Sequence, residues 1–193
     1  MVGNRSNELP FTAAILDMDA KNYHAWSHRQ WAVRTFALWD GELEFTNGML
    51  MEDFRNNSAW NHRWFTITRG DNGAALERGL VEAEMDLAYS YASRAPQNEA
   101  VCNYLRALGK KHPLGLAAPP AVRFLDLVDW ARLGDRSVRV ERAALLSVSV
   151  DILDAAGRRQ EAINVCDRLV GGDAVRAEYW RWRKQLLSQT NAS

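Results

Sequence analysis

The sequence predicts an all-α fold, an α-α superhelix (solenoid) of helical hairpins, and three observations carry that expectation. A string of residues recurs at a fixed spacing of 34: Asp19, Asn22, Ala25, Trp26, His28 and Arg29 return as Asp53, Asn56, Ala59, Trp60, His62 and Arg63. Self-similarity at a period of roughly 20–50 residues marks architectures in which each unit packs on its neighbours. Apolar positions inside a unit follow a helical period, as in the stripe of Trp26, Val33 and Phe36. The breaks between stripes carry Asp-x-x-Asn, and Asn22 and Asn56 suit a helix N-cap, where a short side chain bonds a free backbone N–H.

The elements follow in order. Glu8, Leu9, Phe11 and Leu16 stand 34 residues before Glu42, Leu43, Phe45 and Leu50, which gives one hairpin over 7–37 and a second over 40–67. Gly79 to Ala92 reads as the first helix of a third hairpin (74–108), with Leu80, Ala83, Leu87 and Tyr91 as its stripe. Asn98-Glu-Ala-Val-Cys-Asn-Tyr-Leu105 then repeats the Asn56–Arg63 segment at an offset of 42, with Cys102 where Trp is expected and a longer loop at Thr68–Gly73. His112 to Pro120 is a Pro/Gly/Ala linker at which helices stop. Helices are expected over Phe124–Leu133 and Val140–Leu153, and a last hairpin over 158–188 places Trp180 and Arg183 at the Trp and Arg positions of the repeat. No segment reads as a strand, and residues 1–193 read as a single helical-repeat domain of about five hairpins.

Composition excludes several classes. An apolar fraction of 47% argues against disorder. Lys+Arg and Asp+Glu are equal at 24 each, which removes the electrostatic footprint of a general nucleic-acid binder. Cys102 and Cys166 make no disulfide framework and read as free thiols of a reducing, cytoplasmic compartment. The polar N-terminus is unlike a secretory signal, and no run approaches the ~20 apolar residues of a membrane span. The Asn-x-Ser sequons at Asn4, Asn56 and Asn191 are read as chance.

The repeat matches tetratricopeptide units in length but lacks their Leu-Gly and Tyr anchors and closing Pro. Lys21-Asn-Tyr-His-Ala-Trp-Ser-His-Arg-Gln-Trp31 and Arg55-Asn-Asn-Ser-Ala-Trp-Asn-His-Arg63 instead resemble the repeats of protein prenyltransferase α subunits, above all the α subunit shared by protein farnesyltransferase and type I geranylgeranyltransferase. Trp39-Asp-Gly-Glu-Leu-Glu-Phe45, Asn98–Leu105, Val150-Asp-Ile152 and Glu178-Tyr-Trp-Arg181 fit the same family. The resemblance implies a chain wrapped around a larger β subunit that holds the catalytic zinc, with magnesium added if the enzyme is a farnesyltransferase. The pair would transfer a farnesyl or geranylgeranyl group from its diphosphate to the cysteine of a C-terminal Cys-a-a-X box. Zinc lowers the pKa of the substrate thiol so that a thiolate attacks. The chain itself is expected to bind no cofactor, to be inactive alone, and to enter neither membrane nor nucleic-acid complexes. The β subunit chooses the isoprenoid. The resemblance also implies further hairpins ahead of the one starting near Asn7, so a truncated or reduced subunit is expected, and a non-catalytic helical-repeat scaffold derived from this fold is the second reading.

The repeat separates structure from function. Trp26, Trp60 and Trp180 recur and read as wedges between hairpins; His28, His62, Arg29 and Arg63 recur and read as structural hydrogen-bonding groups, with Asp19 and Asp53 as candidate partners for the arginines. Lys21, Tyr23 and His24 align with Arg55, Asn57 and Ser58, so they break the repeat. They lie at a helix start, where free N–H groups and the dipole favour anions. They would hold a diphosphate and stabilise charge on the departing oxygen, although the same residues also fit a solvated helix start. The resemblance assigns that contact to the Tyr23–His24 pair, as catalytic residues. His24 and His28 are an i, i+4 pair without a Glu between them or a third ligand, so no metal site is expected.

Overall fold

Asparagine side chains start three of the helices in the computed structural model, which describes residues 7–130 and 143–189. Asn22 accepts from the N–H of Ala25 at 3.0 Å, Asn56 from Ser58 and Ala59 at 2.9 and 3.3 Å, and Asn98 from Ala100 at 3.1 Å. Each satisfies backbone donors that the first turn leaves without an intrahelical partner. No strand occurs among the described residues. The chain divides into two units between Leu76 and Glu77.

The first unit holds α1 (Glu8–Met18), α2 (Tyr23–Phe36), α3 (Glu42–Glu52) and α4 (Asn57–Ile67), paired as hairpins α1–α2 and α3–α4. Its core is the periodic set the repeat marks out: Leu16, Trp26, Val33, Leu50 and Trp60 are all buried. The two hairpin corners are welded at one atom. The carbonyl of Ala20 accepts the indole N–H of Trp26 at 3.0 Å and the side-chain amide of Asn56, from the next hairpin, at 2.8 Å. Trp60 bonds the carbonyl of Phe54 in the same way at 2.9 Å. The Thr68–Gly73 loop is held back onto this unit by Trp64 donating to Asn72 and Arg34 donating to the carbonyl of Gly70.

The second unit contains α5 (Arg78–Arg94), α6 (Glu99–Gly109), α7 (Pro119–Val122), α8 (Ala143–Ala155), α9 (Arg159–Gly172) and α10 (Ala177–Gln189), with short 3₁₀ turns at Gly115–Ala117, Arg123–Leu127 and Ala174–Arg176. Its core is formed by Leu105, Leu108, Phe124, Leu145, Ile152, Leu153 and Leu169. Arg106 ties α6 to α8 through Asp151 (2.7 Å) and Ser147 (2.7 Å), and Arg183 ties α10 to α8 through Asp154 (2.8 Å). Trp180, at the Trp position of the last hairpin, donates to the Asp173 carboxylate at 3.0 Å.

Two sequence expectations are corrected here. The linker at 112–120 does not run to its end without helix, because Pro119 and Pro120 open α7, where a missing N–H costs nothing. Phe124 begins no α-helix: Arg123–Leu127 is a 3₁₀ turn that ends at an extended Val128. Residues 131–133 of that expected helix and residues 140–142 of the next lie outside the described residues, as do Asn4 and Asn191. Asn56 is buried at the corner, which leaves its sequon closed to modification.

Because Asn56 both caps α4 and bonds Ala20, Asn56→Ala is expected to lower stability by about 2 kcal/mol, against about 1 kcal/mol for Asn22→Ala, which loses only a cap. Denaturant melts of the two variants measure the difference; equal losses would remove the inter-hairpin bond as a contributor.

Candidate functional site

Gly41 stands at φ +82°, a conformation that disfavours other residues, and it delivers Glu42 to the first position of α3 with its side chain buried. That carboxylate is the centre of the first unit. Arg29 of α2 meets it in a fork, Nε to Oε2 at 2.9 Å and one terminal nitrogen to Oε1 at 2.6 Å. The other terminal nitrogen donates to the carbonyl of Leu9 (3.0 Å) and to the Thr12 hydroxyl (3.1 Å) of α1. The guanidinium carbon lies 3.6 Å from the centre of the Phe45 ring. From α4, Nε2 of His62 lies 2.6 Å from Oε2 of Glu42. Four helices thus converge on one ion pair.

Electrostatics follow from burial. Burial raises the Glu42 pKa, but the hydrogen bonds from His62 and Arg29 and the Arg29 charge outweigh it and hold the carboxyl below its ordinary range. Burial is the largest influence on His62 and, with the Arg29 charge, outweighs Glu42, so its pKa is lowered and the ring is neutral. A neutral ring facing a carboxylate through Nε2 carries its proton there. Its Nδ1 is then a bare lone pair, and it has no hydrogen-bond partner.

The arrangement repeats. Glu8 and His28 pair at 2.6 Å, and Tyr104 donates to Glu84 at 2.7 Å, each pair separated by the same 20 residues as Glu42 and His62. In the structure His28 and His62 bond Glu8 and Glu42, Arg29 forks onto Glu42, and Arg63 donates to Thr46 and Asn47. The expected partners differ. Asp19 and Asp53 do not receive the arginines; each folds back to accept a backbone N–H two residues on, from Lys21 and Arg55. Glu8 and Glu42 recur in the sequence at the 34-residue period, and the constant 20-residue spacing of Glu8, Glu42 and Glu84 to His28, His62 and Tyr104 is the signal that could have marked them as acceptors.

Lys21, Tyr23 and His24 do come together, at the corner leading into α2. Tyr23 is 76% exposed, and its ring meets that of His24 edge-on at 5.7 Å. The Lys21 ammonium lies 3.7 Å from Asp53 of the next corner, an exposed pair of little energetic worth. Asn22 takes the N–H of Ala25, and no partner within the helix exists for the amides of Tyr23 and His24. The corner thus offers a hydroxyl, an imidazole, an ammonium and backbone donors. His28 is committed to Glu8 and not to His24. Among the described residues no three His, Cys, Asp or Glu side chains gather as for a metal ion. Cys102 and Cys166 are buried, and burial pushes their thiols up to about 12 and about 11, so neither is a thiolate at neutral pH. No helix among the described residues is long and apolar enough to cross a membrane.

Residues 5–36 and 39–70 each match the family described as Protein prenyltransferase alpha subunit repeat. A chain of Candida albicans protein geranylgeranyltransferase-I complexed with GGPP superposes over 96% of this chain at a TM-score of 0.78 and 26% sequence identity. The first two hairpins of the chain thus carry the prenyltransferase α-subunit repeat, and the chain shares the fold of that Candida chain. It spans 60% of the length of that Candida chain. No curated protein matches it in sequence. The two matched segments take in the hairpins α1–α2 and α3–α4, which contain the Glu42 centre and its Glu8 counterpart.

The signs of the two shifts in this prenyltransferase repeat agree. Native His62 binds a proton less readily than the unfolded chain, so stability is full above pH 6.5 and falls as pH drops below it; lowered Glu42 adds a further loss below pH 4.5. Melting temperatures taken from pH 7.5 to 4 are expected to decline in these two stages, with the first stage absent in His62→Gln. A flat profile down to pH 5 would contradict the neutral, buried imidazole.

Proposed function

We propose that this chain is the α subunit of a heterodimeric protein prenyltransferase, pairing with a β subunit and inactive alone. The enzyme transfers a farnesyl or geranylgeranyl group from its diphosphate to the cysteine of a Cys-a-a-X box. The observation that carries this is the likeness to the geranylgeranyltransferase-I chain across 96% of the sequence. The corner before α2 supports it from the chemistry. When the allylic C–O bond breaks, negative charge gathers on the diphosphate oxygens, and donors fixed in advance lower that barrier. Tyr23 offers its hydroxyl, His24 a ring N–H and Lys21 an ammonium, and the first turn of α2 adds backbone N–H groups and the positive end of its dipole. The Tyr23 and His24 rings meet edge-on, and the Lys21 ammonium lies beside Asp53 at the same corner. A zinc ion held by β would lower the pKa of the substrate cysteine's thiol; this chain's residues act at the other end of the reaction, on the leaving group.

The test is transfer of labelled farnesyl or geranylgeranyl diphosphate to a Cys-a-a-X peptide by this chain co-expressed with a prenyltransferase β subunit, alongside β alone. Activity is expected only with both chains. Tyr23→Phe is expected to reduce turnover about 10-fold and His24→Ala about 10- to 100-fold. Both side chains are exposed, so Tm should stay within about 2 °C of the parent. A stable complex whose rate ignores both substitutions would remove the corner from the chemistry. No complex with β would favour the helical-repeat scaffold instead.

A further inference from the structure

We infer that Asn72 is a self-modifying residue: the amide nitrogen of Gly73 attacks its side-chain carbonyl, ammonia leaves, and water opens the resulting succinimide to isoaspartate. The Thr68–Gly73 loop that carries it is the insertion that stretches the repeat offset to 42, and the prenyl-transfer chemistry proposed above makes no use of it. Glycine after asparagine suits ring closure, since no Cβ crowds the attacking nitrogen. The chain holds two Asn-Gly pairs, Asn47-Gly48 and Asn72-Gly73, and both asparagines are exposed. The fold treats them oppositely. At Asn47 the side-chain carbonyl is polarised by Arg63, which donates to Oδ1 at 2.7 Å. The nucleophile is withheld there, because Gly48 lies inside α3, where its N–H belongs to the helical ladder.

At Asn72 both reacting groups are served. Asp71 to Ala74 form a turn closed by the Ala74 N–H on the Asp71 carbonyl at 3.0 Å, and Asp71, Asn72 and Gly73 are exposed. Inside it, the Gly73 N–H donates to Oδ1 of Asp71 at 2.8 Å. The indole N–H of Trp64 donates to Oδ1 of Asn72, also at 2.8 Å. A carboxylate thus stands on the nucleophile's hydrogen and a donor on the electrophile's oxygen, on either side of the bond that forms. As the Gly73 nitrogen bonds Cγ of Asn72, negative charge gathers on Oδ1, where the indole N–H stabilises it, and Asp71 accepts the amide proton. The tetrahedral carbon then expels its amino group, which leaves as ammonia with the proton that Asp71 held. Water from the surrounding solvent adds to the ring at the main-chain carbonyl of residue 72 and opens it. One water is consumed, one ammonia is released, and nothing is oxidised or reduced. The main chain then runs through the former side chain, and the freed carboxylate adds a negative charge to a chain of zero formal net charge.

The test is the purified full-length chain incubated at neutral pH, native and in urea. Peptides holding Asn47 and Asn72 are followed by mass spectrometry for the amide-to-acid change, and isoaspartate is identified by enzymatic carboxyl methylation. Native Asn72 is expected to convert at least about tenfold faster than Asn47, and at least about threefold faster than Asn72 does in urea, where the two sites converge. Trp64→Phe removes the indole donor. Asp71→Ser keeps a hydroxyl acceptor for the turn but removes the carboxylate. Each is expected to slow native Asn72 by about three- to tenfold without changing its rate in urea. Should Trp64→Phe not fold, the exposed Asp71→Ser carries the comparison. Native Asn72 converting no faster than in urea, or at a rate indifferent to Asp71→Ser, would overturn the inference.

Discussion

The first unit depends on one buried carboxylate being fully satisfied. A lone Glu42 in that position would be untenable, since a buried charge without partners costs several kcal/mol. The fork from Arg29 and the ring of His62 make it tolerable, and the same guanidinium reaches back to Leu9 and Thr12 of α1. Apolar wedges such as Trp26 and Trp60 supply burial but little direction. The ion pair supplies direction: it is satisfied at one register of α2 against α3 and at no other. A slip of one helical turn would leave a carboxylate and a guanidinium buried apart.

Much of this was legible in the sequence, and the reason is the repeat. A residue that returns after 34 positions in the same string has the same job twice, so Trp26 and Trp60 could be assigned to packing and Asn22 and Asn56 to capping before any coordinates. The acceptors were less legible. Asp19 and Asp53 recur beside the arginines and carry the right charge, yet they lie in tight corners where a short carboxylate reaches its own backbone first. Glu42 lies in the following hairpin, 13 residues beyond Arg29, and contacts of that kind leave no local periodicity. The 3₁₀ turn at Arg123–Leu127 was missed for a different reason, since an apolar run of that length fits either helix type.

The candidate site was legible for the opposite reason. Lys21, Tyr23 and His24 do not recur, so the repeat gives them no packing role, and the structure leaves Tyr23 and His24 outside the core. The corner is rigid all the same. Asn22, Asp19 and the Ala20 carbonyl fix its backbone, and the exposed groups are mounted on it. Rigid backbone under free side chains suits a surface that must present donors without rearranging.

The Ala20 carbonyl shows how two corners of one chain share a geometry without sharing a residue. Two side chains read that oxygen, and neither reads the methyl group beside it. The same station in the next hairpin is Phe54, whose carbonyl serves Trp60 identically. A small residue and a large aromatic thus occupy equivalent places with one duty between them. The bonds at this station are made to the main chain, so the corner's geometry is carried by a backbone atom that alanine and phenylalanine supply alike.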